Sequence, residues 1–489
     1  MVLKQLTLFD DFFASEPQKP STVAMVASVV FGQMPKGEFD YLVPKHLQAV
    51  LEPGQRVRVP LGKSNRLQIG YCVSVTHKPC VTSELKAIHS IVDEQRLLSP
   101  AMLQVTRWIA EHYLCDWGQV LETVLPKCVR ENVGLRKVFK YRLAHPKDGL
   151  QHAGRLTAKQ QRVLEILASA DGPLTAEDLV AKAGCSSAVL GNLVKRGLIE
   201  REISHVRDKT ISYDRPPRAE SLTLNSEQRA ALQTIVDAIR SGTHKTILIH
   251  GVTGSGKTEV YIQAIEEVVR RGCQAIVLVP EISLTPQTVE RFRSRFHNVA
   301  VLHSHLTDAE RAAQWEWIAS GAVEVVVGAR SAVFSPTPRL GLIILDEEHE
   351  SSFKQESAPR YHAREVAEQR ARIEGIPLVL GSATPSLESW YRAQQGEAIL
   401  VQLPRRIANL PLPDVKTIDL REPKRARETR GVITRQLHAA IEEVLKDGGQ
   451  VILLLNRRGF ATHVQCPSCG VVLRCPHCDI SLTHHKIAN

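Results

Sequence analysis

Between residues 246 and 380 the chain repeats short, unbroken apolar runs: Thr246–His250, Gln274–Pro280, Val299–His303, Val323–Gly328, Leu340–Leu345 and Ile376–Leu380. Segments with helical periodicity separate them. Apolar runs without polar alternation fit strands buried on both faces, and their alternation with helices predicts a parallel α/β sheet. Upstream the pattern changes. From Val23 to about Lys78, β-rich runs at Val26–Phe31, Gln55–Pro60 and Ile69–Val75 are punctuated by Pro and Gly, which predicts a small β-rich unit, followed by a helix over Pro100–Leu114. Amphipathic periods at Thr157–Ala168, Thr175–Ala183 and Ser187–Gly197, then a β-like Ile199–Tyr213, predict three helices and a hairpin, the plan of a winged helix. Its third helix, Ser187–Lys195, would lie on DNA or serve only structure or protein binding, and periodicity does not choose between them.

These patterns divide the 489 residues into a flexible leader (1–22), an N-terminal domain (23–130), the winged helix (150–215) and a first α/β lobe (221–405). The start of a second lobe (430–460, with a helix at Thr434–Lys446 and a strand at Val451–Leu455) and a cysteine-bearing segment (461–489) follow. The expected fold class is therefore multidomain α/β. No apolar run approaches the ~18 to 20 residues of a membrane span, and Met1–Phe13 lacks the basic start and apolar block of a secretory signal, so a soluble, cytoplasmic protein with no membrane partner is expected. The net charge of +10 suits a polyanionic partner without requiring one.

Gly251-Val-Thr253-Gly254-Ser255-Gly256-Lys257-Thr258 satisfies the eight-position phosphate-loop pattern and lies between an apolar strand and a helix. In such a loop the glycines let backbone N–H groups close around phosphates, the lysine reaches the β and γ oxygens, and the threonine hydroxyl holds Mg²⁺. Leu342–Leu345 delivers Asp346-Glu347-Glu348-His349 to the same end of the sheet. Asp346 is placed to hold Mg²⁺ and Glu347 to act as general base on the attacking water. Downstream, Phe353, Lys354 and Tyr361 interleave aromatic rings with cations, either to stack bases or as a loop anchored by two rings.

Cys466-Pro-Ser-Cys469 and Cys475-Pro-His-Cys478 are two thiolate knuckles of the zinc type. They form one site together, or each is half of a separate site, with His484 and His485 as further candidate ligands.

Together with Gly381-Ser-Ala-Thr384, Pro280–Thr285, Arg330 within Val327–Ser331, and Gln228, these motifs resemble the first RecA-like lobe of superfamily 2 helicases. In those proteins the residue matching Gln228 contacts adenine, Ser-Ala-Thr links nucleotide state to the DNA site, and Arg330 would touch the strand backbone. The order of parts resembles the PriA-type replication-restart helicases over nearly the whole chain. The N-terminal residues Phe39, Asp40, Tyr41, Gly62 and Lys86 match that family's pocket for the 3′ end of a leading strand. The resemblance implies a bacterial, nucleoid-associated ATPase using ATP, Mg²⁺ and Zn²⁺, the zinc in two sites. It would recognise branched and single-stranded DNA at stalled forks, unwind 3′ to 5′ and prepare primosome assembly. Single-stranded DNA-binding protein and helicase-loading proteins are the implied partners, with Lys257, Asp346, Glu347 and His349 catalytic. The family has eight zinc cysteines and an arginine-bearing motif in lobe two, against four clustered cysteines and no such motif here. A C-terminally truncated member that binds better than it hydrolyses is the expectation, with a double-strand translocase or an idle fork-binding module as alternatives.

Overall fold

The computed structural model describes residues 22–80, 85–131, 135–144, 156–170, 172–207, 217–407, 414–418, 433–454, 471–478 and 480. They fall in two compact units, Met1–Leu410 and Pro411–Asn489.

In the first unit, β1 (Thr22–Val30), β2 (Glu38–Leu42), β3 (Arg56–Leu61), β4 (Arg66–Cys80) and β5 (Ser90–Ile91) form an antiparallel sheet in the order β2-β1-β4-β3-β5. Alternation puts Val29, Phe31, Tyr41, Val57, Val59 and Cys72 in its core. The Leu42 N–H donates to the Lys86 carbonyl, and a bridge between Leu42 and Ala87 brings the segment before β5 alongside β2.

Helices α1 (Pro100–His112), α2 (Trp117–Val124) and α3 (Lys127–Arg130) follow, with Ser99 capping α1 through the Met102 N–H. Their apolar face packs on the β-rich sheet through Val30, Tyr71 and Val73 and continues into the α/β lobe. Met102, Val105 and Ile109 share one core with Phe334, Tyr361, Val366 and Ala367 of the α/β lobe, so the two modules are packed together.

Between them stands a three-helix unit: α4 (Ala158–Ala168), α5 (Ala176–Ala183) and α6 (Ser187–Lys195), around Val163, Leu179, Leu190 and Leu193. Thr157 and Thr175 cap the first two helices. The second half of the hairpin expected after α6, residues 208–213, lies outside the described residues. β8 (Ile199–Arg207) pairs antiparallel with β6 (Leu135–Leu143), which precedes the helices, and β7 (Leu174–Thr175) joins β6 on its other side. Leu135–Leu143 alternates basic with apolar residues and lies in none of the expected domains, which is why sequence reading passed over it.

The lobe begins with α7 (Ser226–Ser241) and continues as β9 (Thr246–Gly251), α8 (Lys257–Arg270), β10 (Gln274–Leu278), α9 (Pro286–Arg293), β11 (Val299–Leu302), α10 (Asp308–Ala319) and β12 (Val325–Gly328). It ends with β13 (Leu340–Asp346), α11 (Ala363–Glu374), β14 (Leu378–Ser382), α12 (Leu387–Gln394) and β15 (Ile399–Leu403). The seven described strands form a parallel sheet ordered β11-β12-β10-β13-β14-β9-β15. All six predicted strands are present. The unpredicted β15 is an edge strand, mostly half-exposed, so its composition lacked the uniformly apolar signal.

In the second unit Thr434 caps α13 (Arg435–Lys446). The strand expected at Val451–Leu455 is not formed over its described part: residues 451–454 have no ladder partner among the described residues, and Ile452 and Leu454 are exposed. An apolar run becomes a strand only where a neighbour takes its hydrogen bonds. Residues 1–21 of the expected leader, Leu455, His484 and His485 lie outside the described residues, and Thr22 already belongs to β1. Among the described residues no helix is long and apolar enough to cross a membrane.

Candidate functional site

Strand order places the chemistry. β13, β14 and β9 are neighbours, with Asp346 in register with Gly381 and Ser382 with His250, so the acidic motif, the Ser-Ala-Thr turn and the phosphate loop emerge side by side. Ligands of open parallel sheets bind at such carboxyl ends.

The loop turns back over β9 because Gly254 and Gly256 hold φ of +80° and +81°. Gly256 is doubly required, since a Cβ there would come within 2.4 Å of the Gln228 amide nitrogen. Lys257 begins α8 and its ammonium donates to the Gly251 carbonyl at 2.8 Å. The Ser255 hydroxyl is buried without a hydrogen-bond partner inside a loop of helix-start N–H groups, a cradle suited to phosphate oxygens. Thr253, Gly254, Ser255, Gly256, Lys257, Thr258, Asp346 and Glu347 line one cavity of about 550 Å³.

Asp346 accepts a hydrogen bond from the Tyr261 hydroxyl at 3.3 Å. Burial, with the Glu347 charge adding to it, pushes the Asp346 carboxyl up to about 6, while Lys257 acts in the opposite direction. That approach needs Gly381: a Cβ there would lie 1.6 Å from the Tyr261 oxygen. Glu347 occupies the left-handed region at φ +49°, an uncommon conformation outside glycine that turns the carboxylate off the strand.

His349 is not among the residues lining that cavity, although its Nδ1 lies 3.7 Å from the Glu347 carboxylate. Its Nδ1 lies 2.7 Å from the Ser382 hydroxyl and its Nε2 3.5 Å from the Thr384 hydroxyl, joining the acidic motif to the Ser-Ala-Thr turn as a positioning residue.

Gln228 is likewise a strut. Its amide oxygen accepts from the Asn225 N–H at 2.9 Å, closing the capping box of α7, and its nitrogen donates to the Ser255 carbonyl at 2.8 Å.

Sequence reading missed Glu348, which is buried. It accepts from the Ser386 N–H at 2.7 Å, the Ser389 hydroxyl at 2.9 Å and Arg364 at 2.9 Å, tying the acidic motif to α11 and α12. Only its position inside an acidic run marked it, and such runs are usually solvated.

The loop after the motif corrects one expectation. Phe353 and Tyr361 are 1% and 2% exposed, with Tyr361 edge-on to Phe334 at 5.1 Å, so neither offers a ring face to a base. Apolar burial in the core shared with α1 outcompetes display. Arg330 is also turned inward, donating to the carbonyls of Ser352 and Lys354 at 3.1 and 2.7 Å. Lys354 remains exposed and lies over the Tyr113 ring at 4.9 Å.

At the N-terminal module the structure brings Lys86 onto the Gly62 carbonyl, with Gly62 at φ +63° in the β3–β4 turn. The Tyr41 ring is core and its hydroxyl donates to Pro60 at 3.3 Å, while Phe39 is half-buried against Phe31. Asp40 departs from the expected grouping. Strand alternation sends it to the other face, where it pairs with Lys78 and accepts from the Ser28 hydroxyl.

Cys466 and Cys469 lie outside the described residues. Cys475 and Cys478 are described, and N–H groups of His477 and Cys478 directed at the Cys475 sulfur lower its thiol pKa. Among the described residues no group of three or more His, Cys, Asp or Glu could hold a metal.

Residues 28–126 match the family model of the PriA 3′ DNA-binding domain, and residues 225–392 that of DEAD/DEAH box helicases. The chain is 36% identical to the replication restart protein PriA of Bacillus subtilis (strain 168), over 92% of this chain and 64% of that protein. It is 43% identical to the PriA of Synechocystis, over 68% and 40%, and 37% identical to that of Haemophilus influenzae, over 92% and 61%. The chain thus spans less than two thirds of the length of these relatives.

Proposed function

From the premise that this chain belongs to the PriA family of replication restart proteins, we propose that it is an ATP-driven DNA helicase. It would recognise branched DNA at stalled or collapsed forks, unwind 3′ to 5′ and begin primosome assembly. The observation that carries this reading is the junction of phosphate loop, Asp346-Glu347 and Ser-Ala-Thr turn at adjoining strand ends, in a lobe sharing its core with the module that matches a 3′-end-binding domain.

In this reading Lys257 exchanges its bond to the Gly251 carbonyl for the β and γ oxygens of ATP, and the loop N–H groups and the Ser255 hydroxyl complete the cradle. Thr258 and Asp346 would hold Mg²⁺, which would supply charge neutralisation at the phosphates. Glu347 orients and deprotonates the attacking water. Glu348 and His349 carry the state of the site to α12 and to the Ser-Ala-Thr turn.

A 3′ DNA end would seat where Lys86 meets Gly62, beside Phe39 and Tyr41, with Lys86 supplying the cation for phosphate. Lys354 is an exposed cation of the loop after the acidic motif. Cys475 and Cys478, with Cys466 and Cys469, would supply thiolates for Zn²⁺. Single-stranded DNA-binding protein and helicase-loading proteins are the partners this role requires, and the bacterial cytoplasm is its setting.

Strand displacement from a forked duplex tests the proposal. ATP-dependent release of the lagging arm, lost in Lys257→Ala, supports it; ATP-independent release, or none, overturns it.

A further inference from the structure

The end of β15 and the segment after it run back over the phosphate loop and are fixed there at three points. The Val252 N–H donates to the Leu403 carbonyl at 3.1 Å, Arg405 pairs with Glu227 at 2.6 Å, and the Ile407 N–H donates to the Gly254 carbonyl at 2.9 Å. The last bond lies within the nucleotide cradle itself.

Ile407 is unusual in what it does there. It lines the same 550 Å³ cavity as Lys257, Thr258 and Asp346, yet it is 52% exposed. A Cβ added at Gly256 would meet two side chains, the Gln228 amide nitrogen at 2.4 Å and the Ile407 Cδ1 at 3.0 Å. An amide that can pair with a base edge and an apolar branched side chain therefore converge on one glycine, next to the start of the phosphate-holding helix. Among the described residues the strap is held by backbone bonds and by the Arg405 ion pair, while the Ile407 side chain stays half-exposed.

We infer that Ile407 is the apolar platform for the nucleotide base, so that the strap leaving lobe one forms the outer wall of the ATP site. The inference rests on the proposed ATP site and adds a specificity-determining residue to it. The base lies against Ile407 on one side and near Gln228 on the other, while the phosphates remain with the loop. Burial of the exposed isoleucine under a heteroaromatic ring supplies affinity that no phosphate contact provides.

Calorimetric titration of the full chain with Mg²⁺-ATP and, separately, with inorganic tripolyphosphate tests this. Ile407→Ala is expected to weaken ATP about fivefold to twentyfold, within the range for partial loss of a buried aliphatic side chain, and to leave tripolyphosphate unchanged. Ile407→Leu should restore ATP affinity. Arg405→Ala, which frees the strap without touching its apolar residue, should give a smaller loss of the same kind, again confined to ATP. Equal weakening of both ligands by Ile407→Ala would mean that the strap acts through the phosphate loop, and no change in either would mean that the base lies elsewhere; both overturn the inference. Wild-type protein that binds neither ligand would overturn the ATP site and the inference with it, whereas failure of Ile407→Ala alone leaves the site standing.

Discussion

The imidazole of His349 stands 2.7 Å from the Ser382 hydroxyl, and this contact joins the end of β13 to the end of β14. Ser382 in turn accepts from the Thr384 N–H at 2.9 Å, so the acidic motif and the Ser-Ala-Thr turn act as one bonded unit.

That unit predicts a separation of binding from turnover. His349→Ala should leave the KM for ATP within about twofold while lowering DNA-stimulated kcat by tenfold or more, because no phosphate contact is removed but a positioning bond is, and an interaction of about 1.4 kcal/mol corresponds to tenfold. Steady-state kinetics with and without single-stranded DNA checks it.

Gly381→Ala should be strongly destabilising. The new Cβ would fall 1.6 Å from the Tyr261 oxygen, and both neighbours are in the core, so the cost should reach about 1–3 kcal/mol or more. Chemical denaturation measures it, and adding Tyr261→Phe, which removes the clashing oxygen, should recover part of the loss.

The phosphate loop, the acidic motif, the strands of the lobe and the capped helices were legible in the sequence because each is a local pattern: fixed spacing, an uninterrupted apolar run, a Thr or Asn ahead of a periodic segment. What was not legible depends on distant packing. Phe353 and Tyr361 read as aromatics among cations, and only the arrival of α1 against α11 buries them. The family resemblance groups Asp40 with Phe39 and Tyr41, whereas alternation along β2 puts it on the opposite face, with Lys78 and Ser28. Glu348 and β6 carried no local signal, since their partners lie far along the chain at Arg364 and Ser386 and at Ile199–Arg207.

Asp346 predicts a pH dependence. Its folded pKa of about 6 lies above the ordinary 3.8, so the folded protein favours the protonated carboxyl. The contribution of this group to stability is fully present below about pH 3.8 and is lost as pH rises through about 6. Mg²⁺ needs the carboxylate and should therefore bind more tightly as pH rises across 6, releasing a proton. Mg²⁺-dependent ATP affinity compared at pH 5.5 and 7.5 should show this rise, and Asp346→Asn should abolish it.

Tyr113, just after α1, donates to the Glu365 carboxylate and accepts from the His362 N–H at 3.0 Å, so it ties the N-terminal module to the loop that follows the acidic motif. Tyr113→Phe removes both bonds and leaves the His362 N–H without that partner. A loss of about 1–3 kcal/mol is expected, together with faster hydrogen exchange over residues 353–362, while the β-rich sheet keeps its protection.

The most direct test of the account is ATP hydrolysis by this chain with and without a forked DNA whose leading strand ends at the junction, alongside Glu347→Gln. The account predicts turnover that rises with the fork and is lost in the variant while ATP binding persists. Turnover indifferent to the fork, or surviving Glu347→Gln, would contradict it.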